Sequence, residues 1–159
     1  MVDKAHHYLA NLVWSGAALN PARDYRSYSR AFTVAISGKP LFQGSADPAF
    51  LGDPAAHNPE DLLLIALASC HLLSYVALCG NSGVAVRTYA DAAEGTLSQQ
   101  ADRNFAFTQV RLKPQVIIEP GGDIAKAIRL HERAHEICFI ARSVNFPVEV
   151  TPVVTIAAG

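Results

Sequence analysis

Residues 62–80 contain no charged side chain apart from the titratable His71, and nineteen such positions in a row could cross a bilayer as a helix. A helix apolar on every side has to be enclosed, by lipid or by protein. Glu60 and Asp61 precede this run, no Lys or Arg flanks it closely, and Ser69, Cys70, His71, Ser74 and Cys79 lie inside it. Those features favour a helix buried in protein over a membrane span. Enclosing it takes a real core. With 159 residues, of which 50% are hydrophobic, the chain has one, since a chain of this length buries roughly 70% of its unfolded surface. The expectation is a single domain, residues 1–159, and intrinsic disorder is excluded.

The same balance sheet narrows the function classes. Thirteen Lys and Arg against fourteen Asp and Glu leave a net charge of −1, which argues against nucleic acid or an acidic membrane as partner. Three cysteines do not make a disulfide scaffold and point to a reducing compartment, the cytoplasm, where single thiols carry meaning. The polar start, Met1 to His7, predicts no secretory leader.

Around the apolar run the pattern is mostly that of strands. Tyr8–Trp14 is a β-type run closed by Ser15-Gly16, and a loop around Asn20-Pro21 follows. Tyr28, Phe32, Val34 and Ile36 are evenly spaced across Ser27–Ser37, as in a half-buried strand, and Leu41–Gln43 reads as a short one. Residues 44–57 read as a long loop. Asn58-Pro59-Glu60 is a helix start: Asn58 caps free N–H groups, Pro59 suits the first turn, and Glu60 meets the positive end of the dipole. The helix should reach about Cys79 and stop at Gly80-Asn81-Ser82-Gly83. Val84–Tyr89 and Phe105–Ile118 read as two long strands. Asp123 caps a second helix to about Ala141, and Pro147–Ile156 is a final β-type segment. Strands, helix, strands, helix, strand without βαβ alternation is an α+β order.

Two sets of residues carry chemistry. His131-Glu132-Arg133-Ala134-His135 matches H-E-x-x-H, in which two imidazoles one turn apart grip zinc and the Glu activates water. A third ligand is needed, and Cys138 and Ala141 stand where the longer metzincin register requires Gly and His. The bland alternative has Glu132 and Arg133 in solvent and His131 and His135 lining a buried or interfacial face. The cysteines are the other set: Cys70 mid-helix between Ser69 and His71, Cys79 near its end, Cys138 late in the second helix. A lone helical Cys is usually an inert small hydrophobe, whereas a reactive one needs a cation and access. Arg23, Arg26 and Arg30 are the candidate cations, and composition does not choose among them.

Asn58-Pro59-Glu60-Asp61-Leu62-Leu63 followed by Ala68-Ser69-Cys70-His71 resembles the central-helix signature of the osmotically inducible protein C and organic hydroperoxide resistance family, OsmC/Ohr. In that family N-P-E opens the helix and the peroxidatic Cys follows the Glu by ten positions, as Cys70 follows Glu60. The resemblance extends over about residues 6–156 and includes Tyr28-Ser29-Arg30, Gly44–Phe50 and Ala134–Ala141. It places Cys138 as the resolving Cys. It also absorbs H-E-x-x-H, because the same branch carries both histidines in an L-H-x-x-A-H-x-x-C-F-I-A pattern.

The resemblance implies the OsmC-like fold: antiparallel sheets, two long central helices and an intertwined homodimer. It implies a thiol peroxidase without metal or organic cofactor, acting on organic hydroperoxides. Cys70 and Cys138 would close a disulfide that a thiol or dithiol reductant reopens. Glu60 would orient an Arg that supports the thiolate, with Arg30 preferred, Arg23 second and Arg26 third. The family's Arg position varies between branches, and no single Arg here matches it alone. A non-catalytic OsmC-like binding protein is the reading from another class, and a zinc hydrolase using His131, Glu132 and His135 the third.

Overall fold

The structure is a computed structural model and describes residues 5–19 and 21–158. The first residues of the polar start, through Lys4, and Asn20 of the expected first loop lie outside the described residues. The chain divides into two compact units, Met1–Leu62 and Leu63–Gly159.

In the first unit, β1 (Asn11–Val13), β2 (Phe32–Ala35) and β3 (Phe42–Gly44) form an antiparallel sheet in that order, with Leu12 opposite Val34 and Thr33 opposite Gln43. The strands are shorter than the alternation predicts. Pairing ends where the neighbour ends, and β3 offers only three residues to β2. Upstream of β2 the backbone is used otherwise: Trp14 Nε1 donates to the Ser29 carbonyl at 2.7 Å. The expected loop 44–57 is tightly folded. A Cβ on Gly52 would lie 1.6 Å from the Ala46 carbonyl oxygen, so only glycine fits there. Asp47 starts the short 3₁₀ turn Pro48–Phe50 by accepting from Ala49 N–H at 2.7 Å, and its other oxygen accepts from Asn58 Nδ2 at 3.2 Å. That bond ties the loop to the start of α1 (Pro59–Asn81).

The start of α1 is a reciprocal cap. Asn58 Oδ1 accepts from Asp61 N–H at 2.8 Å, and Asp61 Oδ2 accepts from Asn58 N–H at 3.3 Å. The helix is unbroken from Pro59 into the second unit and ends near Gly83, whose φ of +72° suits a glycine at the exit.

The second unit adds β4 (Val86–Asp91), β5 (Glu94–Gln99), β6 (Phe105–Leu112), β7 (Pro114–Ile118), α2 (Ile124–Ile137), β8 (Val148–Val150) and β9 (Val153–Ile156). One sheet runs β4-β7-β9 and another β5-β6-β8. The expected single strand 105–118 is two, split at Lys113, because its halves serve different sheets. The expected tail is likewise two strands, split at Thr151-Pro152. Antiparallel pairs predominate, and the tail strands add two parallel pairings, β6 with β8 and β7 with β9. α2 starts at Asp123, whose Oδ1 accepts from Lys126 N–H at 2.9 Å, and stops short of Ala141, because Cys138 turns extended at ψ 111°.

Tyr75 and Cys79 of α1, Ala127 and Ala134 of α2, and Val116, Ile118 and Val154 of the first of these sheets share one core cluster. Leu67 gathers Val110, Leu112, Phe107 and Phe146 in a second. Yet only 22% of the most apolar window of α1 is buried, and Ile65, Leu73 and Val76 are exposed. One chain does not enclose this helix.

Candidate active site

The two helices bring Cys70 and Cys138 together. Cys70 is partly exposed on α1, and Cys138, at the end of α2, is buried. Burial pushes the Cys138 thiol up to about 11, and a hydrogen bond with Cys70 adds to the rise. The N–H groups of Ala141, at 3.5 Å from Cys138 Sγ, and of Ile140 pull the other way without cancelling it. Cys138 therefore holds its proton at neutral pH, close beside the more accessible sulfur. Cys79 stands apart from this pair: it is fully buried, and its thiol too is raised by burial. Nine residues of helix set it about 13 Å along the axis from Cys70.

The first unit holds the other expected residues. Glu60 sits in the first turn of α1 with Oε2 buried and without a hydrogen-bond partner. Arg30 is half-buried. Its guanidinium donates to the carbonyls of Tyr28 and Tyr25 and lies over their rings, 4.0 Å and 4.9 Å from the centroids. It lines an apolar cavity of about 510 Å³ with Leu12, Trp14, Tyr28, Phe32 and Pro59. Arg23 and Arg26 are exposed. Among the described residues no ion pair joins Glu60 to any of the three.

A family model described as OsmC-like protein matches residues 52–153. The chain belongs to the OsmC-like protein family. An OsmC-like protein of unknown function from Vibrio cholerae superposes with a TM-score of 0.85 at 29% identity, covering 94% of this chain and 100% of its own. An organic hydroperoxide resistance protein OsmC from Legionella pneumophila shares the fold at a TM-score of 0.69 and 17% identity, covering 96% of this chain and 99% of its own. The organic hydroperoxide resistance protein OhrB of Bacillus subtilis does so at 0.62 and 19%, covering 93% and 98%. The uncharacterized protein YmaD of Bacillus subtilis is 26% identical over 95 residues, 58% of this chain, and the match spans 63% of YmaD's own length.

In this OsmC-like chain the H-E-x-x-H residues do not assemble as a zinc hydrolase would need. Glu132 is exposed, whereas His131 is buried and its Nδ1 is 3.0 Å from His71 Nε2. Among the described residues no group of three His, Cys, Asp or Glu side chains is arranged to hold a metal. The buried-face reading of His131 holds, and Arg133 pairs at the surface with Glu136 at 2.6 Å. What the sequence reading lacked was the partner. The His71 and His131 rings lie edge to edge in nearly one plane, 13° apart with centroids 5.3 Å apart, and Tyr75 stacks on His131 at 3.7 Å. The available signal was His71, the one titratable imidazole in an apolar run, together with the helical spacing Ala127, His131, Ala134.

Proposed function

We propose that this protein is a thiol-dependent peroxidase that reduces organic hydroperoxides, with residues 1–159 acting as one OsmC-like domain. The observation that carries the reading is the asymmetric thiol pair. An accessible Cys70 lies against a buried Cys138 that keeps its proton. The nucleophile must be reachable and the resolving group must be near it.

The Cys70 thiolate attacks one peroxide oxygen of ROOH. The O–O bond breaks, the alcohol ROH leaves with a proton from solvent, and Cys70 becomes a sulfenic acid. Cys138 then attacks that sulfur. Its thiol proton leaves with the hydroxyl as water, and a Cys70–Cys138 disulfide forms. Two electrons from an external thiol or dithiol reopen it. None of these steps calls on a metal or an organic cofactor. We place the protein in the cytoplasm, where such reductants keep thiols open.

Glu60 and an Arg complete the site in a homodimer. Ten residues of unbroken helix put Glu60 about 15 Å along the axis from Cys70 of its own chain, beyond the reach of a Glu side chain. The unpartnered Oε2 of Glu60 and the exposed Ile65, Leu73 and Val76 of α1 support a second copy packed on this helix about a two-fold axis. Arg30, already ordered and facing an apolar cavity, is the preferred cation over Arg23.

A non-catalytic binding protein is the second reading, favoured by the carbonyl-bound state of Arg30 and its cavity. Free thiols counted before and after one equivalent of cumene hydroperoxide separate the two. Rapid loss of two thiols per chain supports the peroxidase, and no loss supports the binding protein.

A further inference from the structure

His71 directly follows Cys70 on α1, and His131 lies seven residues before Cys138 on α2, about 10 Å along that helix. Two adjacent residues of α1 thus meet α2 and its C-cap at two points about 10 Å apart, an imidazole contact at one and a thiol contact at the other. Turning or sliding α1 to open one contact displaces the other. Both rings are almost fully buried, with 1% and 2% of their surface exposed, so their mutual hydrogen bond faces no competition from water. Tyr75 stacks on the far side of this contact and Tyr89 of β4 leans on His131, with ring centroids 6.4 Å apart. The pair therefore has little freedom of its own.

We propose that the His71–His131 pair is a positioning clamp for the thiols, locking α1 against α2 so that Cys70 and Cys138 stay within reach of a disulfide bond. The role rests on reading those two cysteines as a redox pair. The chemistry needs no proton from the rings. What the clamp supplies is effective concentration: an intramolecular disulfide is favoured over a dithiol reductant in proportion to how tightly the two sulfurs are confined. His71 and His131 are positioning residues, not catalytic ones.

The test is the thiol–disulfide equilibrium of Cys70 and Cys138 in buffers of reduced and oxidised dithiothreitol, with Cys79→Ser as background and no peroxide present. The double variant His71→Leu with His131→Leu is close to the pair in volume and leaves no lone buried nitrogen. Its equilibrium constant for closing the disulfide should fall at least fivefold, with helical circular dichroism and thermal midpoint close to wild type. His71→Gln, whose amide reaches where Nε2 stood, should restore the constant to within about twofold, since the hydrogen bond is what matters.

An unchanged constant in a folded double variant overturns the clamp. So does a double variant that fails to fold, because the pair would then be a pillar of the core. A wild-type chain that closes no disulfide in oxidised dithiothreitol removes the redox pair and the clamp together. A chain that closes it there but ignores cumene hydroperoxide overturns the peroxidase reading alone and leaves the clamp standing.

Discussion

Acid should unfold this protein through two histidines. In the folded chain, burial and the nearness of other imidazoles hold His71 down to about 4 and His131 to about 3, against 6.5 for a free ring. No carboxylate acts directly on either ring. His135 of α2 is another imidazole, and burial pushes the hydroxyls of Tyr75 of α1 and Tyr89 of β4 upward, so they stay neutral. Asp91, beside Tyr89, is itself raised by burial. Between pH 6.5 and 4 the unfolded chain binds protons that the folded chain refuses, so stability is full above that window and is lost as pH falls through it. At pH 5 each ring accounts for about 2 kcal/mol of loss relative to pH 8, about 4 kcal/mol for the pair. That is a large share of the 5–15 kcal/mol typical of a domain. One proton leaves the N–H···N bond intact, and a second sets two N–H groups against each other, so the loss steepens toward pH 4. Urea unfolding followed by circular dichroism at pH 8, 6.5, 5 and 4.5, with dithiothreitol present, measures it. Wild type should lose about 4 kcal/mol between pH 8 and 5. The His71→Leu, His131→Leu variant should lose little, and parallel curves for the two chains would refute the reasoning.

Other outcomes follow from the same contacts. Cys70→Ser should abolish peroxide consumption while Cys79→Ser leaves it nearly intact, as followed by ferrous-xylenol orange assay. Cys138→Ser should consume one equivalent of peroxide, stop at the sulfenic acid and form no intramolecular disulfide, as read by mass spectrometry with a dimedone trap. Mixing Glu60→Ala chains with Cys70→Ser chains should restore one intact site in the heterodimer although each homodimer is inactive, and a verified heterodimer without activity would place Glu60 outside the partner's site. Asn58→Ala removes the acceptor for Asp61 N–H and the tie to Asp47, and should cost about 1–2 kcal/mol in thermal or urea unfolding.

The parts of this fold that rest on local chemistry were legible in the sequence. Asn58, Pro59 and Asp123 set the starts of both helices because capping is decided within four residues. The long strand read over 105–118 failed at Lys113, where the alternation continues but the pairing partner changes from β5 and β8 to β4 and β9. β5 was missed because Glu94, Gly95, Ser98 and Gln99 show no apolar alternation, and pairing with β6 forms it. Spacing and resemblance nominated Cys70 and Cys138, and their approach needed α1 packed against the end of α2. The His71–His131 bond joins residues 60 positions apart, so the sequence marks each ring as buried but not the pairing. Nor does the sequence mark which Arg would serve Glu60 in the proposed site, since three arginines lie within eight positions.

The central claim is that Cys70 and Cys138 are one redox pair driven by hydroperoxide. Peptide mapping by mass spectrometry after one equivalent of cumene hydroperoxide, with thiols blocked on quenching, tests it most directly. A Cys70–Cys138 cross-linked peptide pair, with Cys79 blocked as a free thiol, is the expected result. Recovery of all three cysteines as blocked thiols, or a disulfide that includes Cys79, would contradict it.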